Sequence, residues 1–127
     1  MIRSLLLAAL LVSAAPVNAW SQTGHRVTGE IADAHLGPKA RAAVKEILGT
    51  ESLAEASNWA DYMRAAPDPF WQKESSPWHY VTIPVGKTYS QVGAPPEGDA
   101  ITALAKFAAV LKDPKAPLAE RQKALRF

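Results

Sequence analysis

Proline limits the length of any regular element this chain can build. Of its ten prolines, all but Pro16 stand at or after Pro38, and each lacks a backbone donor and resists the interior of a helix or paired strand. The segments left between them carry five runs of helical spacing. From Gly24 to Leu36, the residues Val27, Ile31 and Ala34 recur at helical intervals until Gly37-Pro38 ends the run. Pro38 then suits the first turn of a second helix, with Ala43, Val44, Ile47 and Leu48 on one face and Gly49 as its stop. Ser52-Leu53-Ala54-Glu55 is a capping-box pattern that opens a third, striped by Leu53, Ala56, Ala60 and Met63. Asp99 suits the cap of a fourth, whose expected buried stripe is Ile101, Leu104, Ala105, Ala108 and Leu111. The fifth, Leu118 to Phe127, reads as a helix cut short, which leaves Leu125 and Phe127 without partners. Between the third and fourth, Pro67, Pro69 and Pro77 predict an irregular aromatic loop carrying Trp71 and Trp78. His79 to Ile83 reads as a short extended piece, and Gly86 to Gly98 as a Gly/Pro-rich linker.

The first 19 residues stand apart from this pattern. Arg3 supplies a positive start, Leu5 to Val12 form an unbroken apolar run, and Val17-Asn18-Ala19 matches the small-x-small pattern of signal peptidase. That run is too short for a membrane span, so residues 1–19 read as a cleavable signal peptide and residues 20–127 as one domain, secreted or periplasmic. Cleavage after Ala19 frees the α-amino group of Trp20, a possible metal ligand near neutral pH.

The absence of cysteine removes thiol catalysis, disulfides, iron–sulfur clusters and Cys-based zinc fingers. The net charge of +2, or +1 without Arg3, is too small for whole-molecule attraction to nucleic acid or membranes. Chemistry is left to three histidines and a few carboxylates. His25 and His35 lie about 80° apart around a common helix and do not share a face. His25 finds no good partner in Thr28 or Gly29, and Trp20, five residues earlier, is the nearest candidate for sharing a metal. A terminal amine and its own carbonyl close a five-membered chelate ring. Asp61 lies at the border of the third helix's apolar face, where a carboxylate is solvated, paired with a base or a metal ligand. In an extended segment His79 shares an inward face with Val81 and Ile83, while Tyr80 points the other way and offers a flat ring. Trp59, Trp71 and Trp78 read as packing residues. No Gly-x-Ser-x-Gly elbow and no phosphate-binding glycine loop is present.

Three stretches follow one another in a telling order: Trp20 to Arg26 (WSQTGHR), Ser57 to Asp61 (SNWAD) and Trp78 to Pro84 (WHYVTIP). With the leader ahead of them, they resemble the zinc-dependent single-strand-specific nucleases, the S1/P1 nuclease family, in its cysteine-free bacterial form. The likeness runs on through Gly98 to Lys106 and Gln122 to Arg126. It implies an all-α helical bundle of the phospholipase C and single-strand nuclease type, with three zinc ions in a cleft. Trp20 and His25 would then bind one zinc, Asp61 and His79 another, and Asp61 would be catalytic. Tyr80 would stack a nucleobase, and Thr82 stands where fungal and plant members carry a base-contacting aspartate. Family members continue into a His-x-x-Gly-Asp-x-His segment, so the resemblance also implies that this chain is an N-terminal part, weakly active or inactive alone. The implied activity is endonucleolytic hydrolysis of single-stranded RNA and DNA, extending to 3′-nucleotidase action, with a single-stranded nucleic acid or nucleotide substrate and no protein partner. Zinc-dependent phospholipases C share the N-terminal tryptophan but space the first histidine farther from it. A relative of those enzymes, or a non-catalytic secreted helical binding module, are the alternatives.

Overall fold

Helix α1 spans Gln22–His35 and α2 Pro38–Leu48, followed by the short α3 (Leu53–Ala56) and α4 (Trp59–Met63). A π-helical turn (Phe70–Glu74) and a 3-10 turn (Ser76–His79) lead to α5 (Tyr89–Val92), α6 (Ala100–Lys112) and α7 (Leu118–Arg126). This is a computed structural model and it describes residues 22–127; the leader and Trp20 lie outside the described residues. The described residues contain no strand, so the fold is all-α.

Helix α7 holds the bundle together. Gln122 Nε2 donates to the Ile47 carbonyl at 3.0 Å, Arg121 pairs with Glu46 at 3.4 Å, and Arg126 pairs with Glu51 at 2.6 Å. All three links join residues 75 apart, so α7 runs alongside residues 46–51 in the same direction. Its apolar side serves two cores. Leu125 packs on Ile47, Leu48 and Ala56, while Ala124 and Phe127 join Ala103, Phe107 and Trp78.

Pro38 at the start of α2, the buried Ile47 and Leu48, the capping box at Ser52 and the helix cap at Asp99 are as the sequence predicts. Other expectations are overturned, each for a local reason. Helix α1 forms as the spacing predicts, but its Val27 and Ile31 are 47% and 57% exposed. The helix buries Gly29 instead, because only a hydrogen there lets its backbone approach Leu53 and Ala54 of α3. On α6, Ile101 and Leu104 are exposed and Ala103 and Phe107 are buried. That helix is apolar on most sides, and Phe107 meets Trp78 and Phe127 at centroid distances of 6.0 and 4.8 Å.

The single third helix is broken at Ser57-Asn58. Ser57 Oγ and Asn58 Nδ2 both donate to the Ala54 carbonyl, at 2.9 and 3.2 Å, a side-chain alternative to continued helix. The aromatic loop forms helical turns instead. Asp68 Oδ1 caps the Phe70 N–H at 2.8 Å, and the Ser75 N–H reaches the Phe70 carbonyl at 2.9 Å, five residues back. His79 ends the 3-10 turn, and extended backbone begins only at Tyr80. Leu125 and Phe127, expected to lack partners, are both packed: Phe127 lies within 6.1 Å of the rings of Trp71, Trp78, His79 and Phe107.

Candidate metal site and base pocket

His25 lies one helical turn before Gly29 on α1, so the close approach of α1 to α3 also fixes the histidine. Asp61 lies in the first turn of α4, immediately after the Ser57-Asn58 break that turns this helix away from α3. The two meet, with His25 Nε2 3.1 Å from Asp61 Oδ2. Arg64 Nη1 stands 3.8 Å from the other carboxylate oxygen. His79 arrives from a different element, held by the turn that starts at Ser76-Pro77 and by the Phe127 ring, 5.1 Å away. Its Nε2 is buried and has no hydrogen-bond partner among the described residues.

Burial pushes the His79 imidazole below its ordinary range. Asp61 pulls it upward, and the Arg64 guanidinium and the neighbouring His25 push it down. His79 therefore shares an electrostatic neighbourhood with the His25–Asp61 pair, and its neutral form is favoured, the form that binds a metal.

The donors fit zinc in kind. Imidazole nitrogen and carboxylate oxygen are both zinc ligands, at about 2.0 to 2.2 Å. Among the described residues, however, no group of three His, Cys, Asp or Glu is gathered tightly enough to hold an ion. Trp20, expected on the same ion as His25, lies outside the described residues. His25 also opens on a groove of ≈ 420 Å³ lined by Leu36, Val44, Leu53, Leu125 and Phe127.

Tyr80 and Thr82 line a different cavity, of ≈ 520 Å³, within the usual range for a small-molecule pocket. The tyrosine is 56% exposed. Its opposite wall is residues 92–99, the stretch the sequence suggested was a linker. Gly93 and Gly98, at φ 69° and 83°, turn that wall back on itself, a conformation that favours glycine. Two bonds fasten it: Trp78 Nε1 donates to the Glu97 carbonyl at 3.1 Å, and the Ala100 N–H to the Tyr80 carbonyl at 3.1 Å. The pair of glycines around Pro95-Pro96 was the available signal that this stretch is a built turn. Nothing in the spacing pointed to Arg64 or Phe127.

Comparison with known proteins bears on these sites together. Endonuclease 2 of Arabidopsis thaliana is 32% identical over 83 residues, an alignment covering 63% of this chain and 27% of that protein. The chain thus spans about a quarter of its relative's length. A family profile, S1/P1 Nuclease, matches residues 20–127, from Trp20 through His25, Asp61, His79 and Tyr80 to the end of α7. The chain belongs to the S1/P1 nuclease family.

Proposed function

We propose that this chain carries part of the active site of a secreted or periplasmic zinc-dependent endonuclease that cleaves single-stranded RNA and DNA and removes 3′-phosphates from nucleotides. The observation that carries the reading is the 3.1 Å approach of His25 Nε2 to Asp61 Oδ2 in a chain of this family. Family membership also weighs against the phospholipase C and binding-module alternatives. No described helix is long and apolar enough to cross a membrane, and removal of residues 1–19 exposes the Trp20 amine.

His25 with Trp20, and Asp61 with His79, would hold zinc, which when bound makes water nucleophilic near neutral pH and offsets phosphoryl charge. Asp61 accepts a hydrogen bond from the attacking water and orients it. As the water oxygen joins phosphorus, the phosphorus–oxygen ester bond opens, and the proton that the water gives up to Asp61 passes to the leaving oxygen. Arg64, beside Asp61, is placed to pair with a non-bridging phosphate oxygen. Tyr80 stacks a base, a contact worth about 1 to 3 kcal/mol that a duplex cannot offer, and Thr82 meets its edge.

Catalytic zinc takes three protein ligands and a water, and Asp61 with His79 supplies two of them. The expected result is weak zinc uptake and slow, chelator-sensitive cleavage by this chain alone. Intact mass of the exported protein should place the first residue at Trp20. Competition with a chromogenic chelator should show zinc affinity falling at least about tenfold in His25→Ala and Asp61→Asn. Zinc uptake unaffected by either substitution would overturn the assignment.

A further inference from the structure

Residues 94–98 have two faces. One closes the Tyr80 cavity; the other closes a second cavity of ≈ 330 Å³, completed by Trp78, Thr102, Ala103 and Lys106. The Lys106 ammonium sits over the Trp78 ring, 4.7 Å from its centroid. Phe70 meets Trp78 edge-on with centroids 5.5 Å apart, and the Lys123 ammonium sits over Phe70 at 3.8 Å. The Trp78–Phe70 ring pair, with an ammonium group over each ring, thus forms a strip beside the second cavity.

Neither lysine has a carboxylate partner among the described residues. The ring beneath each one restricts its flexible stem, yet ring contact leaves ammonium protons available to an anion. Held cations beside an open aromatic ring are the combination that grips single strands, with phosphates on the lysines and a base on the ring.

We infer that the two cavities flanking residues 94–98 form one track for a single-stranded oligonucleotide, with a base on Tyr80 and the phosphates of neighbouring nucleotides on Lys106 and then Lys123. This rests on the nuclease reading above and extends it from a mononucleotide site to a strand-binding surface. Glu97 lines both cavities, and its carboxylate opposes phosphate, so it lowers affinity along the track. A flexible single strand can bend around the 94–98 ridge, whereas a stiff duplex spans it. The concave cavity beside Lys106 suits a strand better than a flat anionic membrane.

The test uses the whole chain with a chelator present, so that nothing is cleaved, and a fluorescent single strand of about 12 nucleotides. Anisotropy across a salt series should show Lys106→Gln and Lys123→Gln each lowering the salt slope by about 0.7, the value for one lost phosphate contact. Affinity for a dinucleotide should be unchanged by Lys123→Gln, and Glu97→Gln should tighten binding of the long strand. Lys39→Gln, on α2, serves as the neutral control. An unchanged slope in both track variants, with zinc uptake still dependent on His25 and Asp61, overturns the track and leaves the nuclease reading standing. A lysine-dependent slope without His25-dependent zinc uptake does the reverse. Lysine-dependent binding to phosphatidylglycerol vesicles with none to the oligonucleotide also overturns the track.

Discussion

The hydrogen that serves Gly29 as a side chain decides how α1 meets α3. A methyl group there would overlap the carbonyl of Leu53 and crowd the Ala54 Cα, 2.7 Å away, and backbone on that side cannot yield as a flexible side chain would. Gly29→Ala should therefore destabilise the fold by about 1 to 3 kcal/mol, the usual cost of overpacking, despite the helix propensity gained. His25 is one turn away on the same face, so the variant should also lose zinc affinity; urea unfolding and chelator competition on one sample check both effects. A stability gain would mean that α1 packs elsewhere. This residue also marks the limit of what sequence reading reached. The helix was legible from the spacing of Val27, Ile31 and Ala34, but its buried side was not, because a contact made by backbone leaves no apolar side chain to count. His25, Asp61 and His79 stood out as chemical types, and the His25–Asp61 contact itself depends on where Gly29 puts the helix.

Helix starts were the most legible feature at the next scale, because a cap is a local event. Ser52 Oγ accepts from the Glu55 N–H at 3.1 Å while Glu55 returns a bond to the Ser52 N–H at 2.9 Å. Asp99 Oδ1 accepts from the Thr102 N–H at 2.9 Å. Helix continuation was less legible: Ser57 and Asn58 end α3 after one turn through bonds that periodicity does not register. Ser52→Ala should cost about 0.5 to 2 kcal/mol, read as a lower urea midpoint. Both cap carboxyls titrate below the usual carboxylate range, Asp99 chiefly through the Thr102 backbone N–H and Glu55 chiefly through that of Ser52. A depressed folded value means that the stabilisation is present above the ordinary unfolded range and fades as pH falls through the folded value. Stability should accordingly drop on acidification below the ordinary carboxylate range. In Asp99→Asn that acid limb should be shallower, with a lower plateau at neutral pH; parallel pH profiles for the two proteins would contradict this.

For the molecule as a whole, the aromatic cluster around Phe127 joins the side of the Tyr80 cavity to the side of the His25–Asp61 pair. Its ring is stacked on Trp71 at 6.1 Å and tilted against His79 at 5.1 Å. Phe127→Ala should cost about 2 to 3 kcal/mol, somewhat less than for a fully buried ring, and should flatten the near-UV circular dichroism of the tryptophans. Phe127→Leu should recover most of the stability. The parallel run of α7 beside residues 46–51, at a constant offset of 75 residues, bears on the order of events during synthesis. Helices α1 and α3 meet within a short stretch of chain, but the lid over Ile47 and Leu48 is made only once residues 118–127 have emerged. Contacts this distant along the chain form slowly. A chain emerging from the ribosome therefore keeps its first core open until almost all of residues 22–127 are available, and a partner that engages the nascent chain before α7 emerges meets an unlocked set of helices rather than a finished bundle.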